Sequence, residues 1–171
     1  MIGLRPAGSG DALLLATLGA QVFLETYAPR GLTASLAREV QEHFAASVLA
    51  RELASPDKRF TLAEREGHAV GFVQTCVRRP CPVAAPQPAT LELQRLYVLR
   101  SAIGQGVGKA LLRHAEQAAA NAGQRSLWLS AWVGNAHALQ FYALQGYADA
   151  GTLDYVFEGQ RFENRVFVKS F

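Results

Sequence analysis

The chain has 171 residues, of which 50% are hydrophobic and 18% are charged, and its formal net charge is +3 at pH 7. This length and composition predict a single globular domain over residues 1–171 and exclude a disordered or low-complexity chain. The small positive charge is scattered along the sequence, so nucleic acid is not an expected partner.

The N-terminal third predicts one strand and two helices. Residues 2–5 read as a short strand, after which Ser9 or Asp11 can begin a helix that continues to about Tyr27. Thr33 can begin a second helix that ends before a Ser-Pro-Asp sequence. No apolar run near the first residues is long enough for a signal peptide or a membrane segment, so the expected location is the cytoplasm, with no membrane partner.

A hairpin and a proline-rich connection follow. Residues 59–65 and 68–77 alternate as two strands joined by a tight turn at Glu66-Gly67. The next connection, residues 78–89, holds four of the seven prolines and therefore cannot be a central strand. It is long enough to border a site, although a mobile loop is the favoured interpretation.

Residues 91–112 read as a strand, a glycine-rich turn and the first turns of a helix. Leu91 and Leu93 share one phase of a two-residue alternation, whereas Leu96 and Val98 share the other. A slip of this kind predicts a β-bulge at the intervening residues, where main-chain N–H and C=O groups are left for another extended molecule to pair with.

The turn after this strand predicts an anion site. Gly104, Gly106 and Gly108 permit tight turns with positive φ and the close approach of a ligand to the backbone. The helix that follows carries Lys109 in its first turn and no acidic residue before Glu116, although helix starts usually attract Asp or Glu. A phosphate or pyrophosphate on the free N–H groups is therefore expected.

Two other glycine signatures fail here. A Walker phosphate loop needs Gly at position 103 and Ser or Thr at position 110, where Ile103 and Ala110 stand. The dinucleotide fingerprint needs a third Gly where Lys109 or Leu111 stands, depending on the register. The stretch resembles instead the acetyl-CoA motif of the Gcn5-related N-acetyltransferases (GNAT), Arg/Gln-x-x-Gly-x-Gly/Ala after a bulged strand. The matching residues are Ile103, Gly104, Gln105, Gly106, Val107 and Gly108.

The C-terminal part predicts a strand, a short helix and a hairpin. Residues 126–133 form a strand reached by a helical crossover, so it should run parallel to the strand that begins near Leu91. Asn135 can cap a helix over residues 136–144, and the remaining chain makes a hairpin that turns at Glu158-Gly159.

This helix is similar to a second GNAT motif, Asn-x-x-Ala-x-x-Phe-Tyr-x-x-x-Gly-Phe/Tyr. Asn135 and Tyr142 occupy its Asn and Tyr positions. The resemblance implies that Asn135 contacts the CoA arm and that the Tyr142 hydroxyl protonates the departing thiolate. The alternative from the residues alone is that Asn135 is only a helix cap and Tyr142 only a core aromatic.

The resemblance implies roles for other residues. Glu92 is the candidate general base, although a Glu on a strand is usually a solvated residue. Glu25, near the end of the first helix, and Asp154 are weaker candidates for holding a cationic acceptor. Tyr27 is a further candidate for binding it. The implied acetyl-CoA contacts comprise Leu96, Tyr97, Val98, the six residues of the glycine motif, Lys109, Asn135 and Tyr142.

The resemblance implies an acetyl-CoA-dependent N-acetyltransferase that acts on the primary amine of a small molecule. The acceptor could be polyamine-like, because Phe23-Leu24-Glu25-Thr26-Tyr27 looks like the same segment in bacterial members that include polyamine acetylators. The expected fold is α/β (α+β), a GNAT-like mixed, mostly antiparallel sheet with a central parallel β-α-β crossover and flanking helices. A non-catalytic acyl-CoA-binding or regulatory protein and a protein or peptide N-acetyltransferase remain alternatives. Cys76 and Cys81 match no metal-ligand spacing, so no metal is expected, and the hydrophobic end strands could support a homodimer.

Overall fold

The structure, a computed structural model, describes residues 1–85 and 89–171. These residues form seven strands, β1 (Gly3–Pro6), β2 (Lys58–Arg65), β3 (His68–Cys76), β4 (Glu92–Val98), β5 (Ser126–Trp132), β6 (Ala148–Phe157) and β7 (Gln160–Ser170). They also form five α-helices, α1 (Ala12–Tyr27), α2 (Ala34–Phe44), α3 (Ala46–Ala54), α4 (Val107–Asn121) and α5 (Ala136–Leu144).

The strands form one sheet in the order β1-β2-β3-β4-β5-β7-β6. β4 runs parallel to β5, with Glu92 opposite Trp128, whereas β1 with β2, β5 with β7 and β6 with β7 are antiparallel. The predicted mixed, mostly antiparallel sheet with one parallel β-α-β crossover is therefore confirmed. Within the two described ranges, no helix has both the length and the apolar character needed to cross a membrane.

The chain packs as two compact units that interleave in sequence. Unit 1 comprises Met1–Gln74 and Arg95–Arg113, and unit 2 comprises Thr75–Gln94 and His114–Phe171. The chain passes from one unit to the other within β3, β4 and α4. A single domain over residues 1–171 stays a prediction.

Unit 1 contains the helices α1, α2 and α3. Thr33 Oγ1 accepts a hydrogen bond from Leu36 N at 3.2 Å, as its predicted role as a cap requires. The single helix predicted beyond Thr33 is wrong, because Ala45 is extended, with φ −64° and ψ 141°, and separates α2 from α3. Phe44 and Leu49 are both buried. In one continuous helix they would point about 140° apart, so the break lets both side chains reach the core.

The core of unit 1 is rich in aromatic rings. Phe44 packs at 5.6 Å from Phe23 and at 5.9 Å from Tyr97, measured between ring centroids. Tyr97 lies in turn 5.4 Å from Phe72. Tyr97 therefore fixes the end of β4 against the core. The buried members of this cluster are Leu15, Ala16, Leu18, Phe23, Phe44, Leu49, Phe60, Leu62 and Phe72.

Unit 2 contains the described part of the proline-rich connection. Arg79 N donates to Thr90 O at 2.9 Å and Cys81 N donates to Ala89 O at 2.8 Å. Side chains of residues 81, 83 and 85 pack against a cluster formed by Ala89, Trp128, Val166 and Val168. The apolar side chains between these prolines are therefore partly buried against the sheet, and the mobile-loop interpretation of residues 78–89 stays a prediction. Residues 86–88 lie outside the described part.

Both hairpins turn where the sequence predicts. Glu66 and Gly67 have φ values of 53° and 78°, and Glu158 and Gly159 have φ values of 46° and 76°. Two successive residues with positive φ form the type of turn that matches the twist of antiparallel strands. Both predicted hairpins are confirmed.

Candidate active site

The glycine turn lies in unit 1, between β4 and α4. Gly104 and Gly106 have φ values of 79° and 81°, and a Cβ added to either residue would meet no atom within 4 Å. Gly106 O accepts the hydrogen bond of Ala110 N at 2.9 Å, so α4 begins directly after Gly106. Gly108 lies inside α4 and does not have the positive φ that its spacing suggested. The turn therefore presents bare backbone from two glycines.

The start of α4 carries no acidic side chain in its first turn. Lys109 is exposed there, and Ile103 is also exposed. The first N–H groups of a helix have no acceptor within the helix, and its dipole favours negative charge at this end. The residues present therefore fit an anion such as the pyrophosphate of CoA.

Side chains fix the shape of this turn. Gln105 Nε2 donates to Ser101 O at 2.8 Å, and Arg65 Nη1 donates to Gln105 Oε1. Gln105 is thus bonded on both sides of its amide. Its side chain stabilises the turn, while its backbone remains part of the predicted anion site.

The end of β4 approaches β3 closely. Leu99 N donates to Val70 O at 2.9 Å. A Cβ on Gly71 would lie 2.7 Å from Tyr97 O and 3.3 Å from Val98 Cα. Only glycine fits at position 71 without a shift of the β4 backbone, a constraint that no local feature of the sequence marks. The β-bulge before Leu96 stays a prediction.

The structure places Glu25 beside the segment that leads into the glycine turn. Its Oε2 accepts from Arg100 N at 3.2 Å, and its Oε1 accepts from Gln21 Nε2 at 3.1 Å. Tyr27 packs on Phe23, with 4.7 Å between ring centroids, and burial, together with the charge of Glu39, raises the pKa of Tyr27. Both carboxylate oxygens of Glu25 therefore accept hydrogen bonds from other residues of unit 1. The proposed acceptor-binding roles of Glu25 and Tyr27 stay predictions.

Asn135 and Tyr142 lie in unit 2, on α5. Asn135 Oδ1 accepts from Ala138 N at 3.1 Å, which confirms its predicted role as a cap. Its contact with CoA stays a prediction. Tyr142 is buried, with ring centroids at 5.7 Å from Tyr147 and 6.1 Å from Phe167. The aromatic neighbours fix the orientation of the Tyr142 ring.

Glu92 is held by two polar side chains in unit 2. Its Oε2 accepts from Gln94 Nε2 at 2.9 Å and from Arg79 Nε at 3.3 Å. Arg79 O accepts in turn from Trp128 Nε1 at 2.6 Å. The Glu92 side chain is only 15% exposed, so it is not the solvated strand residue of the alternative interpretation. Its Oε1 accepts no hydrogen bond from residues 1–85 or 89–171.

The sequence pattern of the acetyltransferase (GNAT) family matches residues 22–147. This span covers both motifs and more than half of the chain. The chain belongs to the GNAT family. It is thus an acetyltransferase by family, as the two motifs predicted.

Several acetyltransferases are similar to this chain. An uncharacterized N-acetyltransferase of Lactobacillus delbrueckii subsp. lactis is 26% identical over 126 residues, which are 74% of this chain and 72% of that protein. An IAA acetyltransferase of Azospirillum brasilense is 35% identical over 99 residues, which are 58% of this chain and 60% of that protein. The crystal structure of PaiA N-acetyltransferase from Thermoplasma acidophilum in complex with coenzyme A has a TM-score of 0.76 and 20% identity, and the match covers 100% of this chain and 99% of that one.

Within each unit, the GNAT fold groups part of the predicted site. Unit 1 contains the end of β4, the glycine turn, the start of α4 and Glu25. Unit 2 contains Glu92, Asn135 and Tyr142. Gly71 and Arg95 were missed, and the only sequence signal for Arg95 was a charge in the middle of a largely apolar strand.

Proposed function

We propose that this GNAT-family chain transfers the acetyl group of acetyl-CoA to the primary amine of a small molecule by direct attack in a ternary complex. The observation that supports this most is the open glycine turn at an acid-free helix start. Acetyl-CoA is the co-substrate. The coenzyme A complex of the Thermoplasma acidophilum relative, which shares this fold, is consistent with that assignment.

Backbone groups provide the proposed grip on the co-substrate. N–H groups from Gly104 to Lys109 hold the pyrophosphate, since the Ile103 N–H already donates to Arg100 O at 3.3 Å. Gly104 and Gly106 allow the pyrophosphate to approach the main chain. The main chain of Leu96, Tyr97 and Val98 pairs with the pantetheine amides as an added strand would. A main-chain N–H in this segment stabilises the oxyanion that develops on the thioester carbonyl. The amide nitrogen of Asn135 donates to the CoA arm.

The reaction replaces a C–S bond by a C–N bond. A neutral amine attacks the carbonyl carbon of the thioester, so an ammonium with a pKa of about 10 must first lose a proton. Glu92 is the proposed base, acting directly or through water, because its Oε1 accepts no hydrogen bond from residues 1–85 or 89–171. Tyr142 is the proposed acid, which gives its hydroxyl proton to the departing thiolate and is reprotonated, through water, by the second proton that the nitrogen releases as the amide forms.

Binding of acetyl-CoA tests the first half of the proposal. Calorimetry should detect binding to the wild type, and Gly106→Ala should weaken it by about tenfold or more, because the added methyl group lies where the pyrophosphate approaches. Gly159→Ala is the matched control, since Gly159 has a similar φ of 76° and equally open space around its Cβ. Equal affinity of the wild type and Gly106→Ala, or no binding at all, would contradict the proposed pyrophosphate site at the glycine turn and the start of α4.

Turnover tests the second half. Release of free CoA in the presence of a panel of small amines identifies an enzyme, whereas a regulatory acyl-CoA-binding protein gives no acceptor-dependent rate. Tyr142→Phe and Glu92→Gln should each lower kcat by roughly a hundredfold, without loss of acetyl-CoA binding. A labelled peptide in place of a labelled small amine would identify a protein acetyltransferase.

Fractionation of cells tests the proposed cytoplasmic location of the protein, and sedimentation of the native protein tests the proposed homodimer.

A further inference from the structure

Arg95, on β4, holds a positive charge against the core of unit 1. Its side chain is only 14% exposed. Nη1 donates to Glu52 Oε2 at 2.6 Å and to Gln74 Oε1 at 2.5 Å, and the guanidinium carbon lies 5.2 Å from the centroid of the Phe44 ring. An arginine that is bonded through one nitrogen and stacked on an aromatic ring has a fixed plane.

The charges around Glu52 do not balance. Its Oε1 bonds to Lys58 Nζ and its Oε2 bonds to Arg95 Nη1, so two cations share one carboxylate. Gln74 is fully buried and neutral. The cluster formed by Glu52, Lys58, Gln74 and Arg95 therefore has an excess positive charge in a partly buried setting, where an unpaired charge is costly. A ligand that carries an anionic group would offset this cost.

The second edge of the Arg95 guanidinium is available to such a ligand. In residues 1–85 and 89–171, neither Nε nor Nη2 of Arg95 has an acceptor. No fully buried side-chain nitrogen or oxygen in the same part of the chain lacks a hydrogen-bond partner, so both atoms must reach solvent. Two parallel N–H groups on one edge of a guanidinium match the two oxygens of a carboxylate.

Arg95 also lies next to the proposed position of the thioester. It directly precedes Leu96, whose main chain is assigned above to pantetheine. Because side chains alternate along a strand, Arg95 and Tyr97 share one face of β4. Phe44, at the end of α2, packs on both of them. This side of β4 is therefore the side that carries the helices.

We infer that the open edge of Arg95 binds a carboxylate of the acceptor, so that the acceptor is an amine that also carries a carboxylate. The inference rests on the proposed acetyl transfer and narrows its substrate class. It departs from the polyamine-like acceptor, because a second cationic group next to an excess positive charge is repelled. Arg95 is then a specificity-determining residue, and the amine itself remains free to reach the thioester.

The test compares amines that differ only in this group. One series contains ω-amino acids of increasing length, from glycine to an aminohexanoic acid, and the other contains the corresponding amides. The series of lengths is needed because the amine must reach the thioester while the carboxylate stays on Arg95. For the wild type, kcat/KM of at least one amino acid should exceed that of its amide by about tenfold or more, mainly through KM.

Variants assign this preference to Arg95. Arg95→Gln should reduce the ratio of amino acid to amide kcat/KM to within about twofold, whereas Arg95→Lys should keep part of it. Lys58→Gln is the comparison variant: it removes the excess positive charge but leaves the Arg95 edge intact, so it should lower the ratio less than Arg95→Gln does. The acetyl-CoA affinity of each variant reports whether it is folded.

The outcomes separate the inference from the function on which it rests. Equal kcat/KM for amino acids and amides in the wild type overturns the inference while acetyl transfer stands, and this comparison requires no variant. A preference that survives in Arg95→Gln also overturns it. If no amine releases CoA, the proposed function fails. In that case, calorimetry in the presence of CoA should still measure tighter binding of an amino acid than of its amide. Equal affinity of the acid and the amide would contradict the inference.

Discussion

The hydroxyl of Tyr147 donates a hydrogen bond to Oε1 of Glu116 at 2.9 Å. The same oxygen accepts from Lys169 Nζ at 2.9 Å, and this nitrogen lies 5.4 Å from the centroid of the Tyr147 ring. Tyr147 in turn packs edge-on against Tyr142, with 67° between the ring planes. The polar groups of Glu116 and Lys169 thus fix the aromatic neighbour of the proposed acid within unit 2.

Tyr147→Phe should lower the free energy of unfolding by about 2 kcal/mol at neutral pH, because Glu116 loses a hydrogen bond in a partly buried place. Burial raises the pKa of Tyr147, and the nearby carboxylate of Glu116 adds to the shift. The folded protein therefore keeps this proton when the unfolded chain loses it, at about pH 10. The stabilisation is complete below that pH and is lost as the pH rises above it.

Urea unfolding at neutral pH and above about pH 10 measures both effects. The alkaline decline should be shallower in Tyr147→Phe than in the wild type. Tyr155→Phe is the control, because Tyr155 is exposed on β6. Identical alkaline curves for the wild type and Tyr147→Phe would show that Tyr147 does not carry the effect.

Asn135 can be tested for a role beyond capping. Asn135→Asp retains an oxygen that accepts from Ala138 N, whereas Asn135→Ala retains none. Thermal unfolding should therefore show a loss of about 1 kcal/mol for the alanine variant and little loss for the aspartate variant. If the amide nitrogen donates to CoA, both variants should bind acetyl-CoA about tenfold more weakly. Wild-type affinity in Asn135→Asp would reduce Asn135 to a helix cap.

Local chemistry accounts for what the sequence predicted correctly. Turns and helix caps depend on neighbours along the chain, which the sequence displays. Examples are the positive φ values at Glu66-Gly67 and Glu158-Gly159 and the caps at Thr33 and Asn135. The parallel pairing of β4 with β5 follows from the length of the crossover between them.

Tertiary packing accounts for what was missed. The break at Ala45 exists because Phe44 and Leu49 both enter one core, and no local signal marks it. Gly71 lies close to Tyr97 O on a different strand, and the sequence does not show that these two residues are neighbours. The only local signal for Arg95 is a charge in the middle of a largely apolar strand, since its partners Glu52 and Gln74 are distant along the chain. Side-chain networks of this kind need the fold before they can be recognised.

Gly71→Ala should displace the part of β4 that is proposed to pair with pantetheine, because Gly71 lies against it on β3. The new Cβ would lie 2.7 Å from Tyr97 O, so the β4 backbone must move. We expect a loss of about 2 kcal/mol in unfolding free energy and a fall of roughly tenfold in acetyl-CoA affinity. Gly10→Ala is the matched control, because a Cβ there meets no atom within 4 Å. Unchanged acetyl-CoA affinity in a folded Gly71→Ala protein would contradict the assignment of Tyr97 and Val98.

Glu52 should control the acid stability of unit 1. Burial alone would raise the pKa of Glu52, but the ion pairs with Arg95 and Lys58 outweigh burial and hold its pKa below the ordinary value of 4.5. A carboxyl whose pKa is lower in the folded state than in the unfolded chain stabilises the fold above the unfolded pKa, and this contribution is lost as the pH falls through the folded pKa.

Glu52→Gln should therefore cost about 3 kcal/mol at neutral pH, because two partly buried cations lose their common carboxylate. The difference between the variant and the wild type should then shrink as the pH falls from about 5 to about 3, since the wild-type carboxylate is itself being neutralised. Urea unfolding across this range measures the difference. Glu42→Gln is the control, because Glu42 is exposed on α2 and should show a small difference at every pH. A gap between Glu52→Gln and the wild type that stays constant down to the lowest pH would mean that Glu52 stabilises unit 1 by packing and not by its charge.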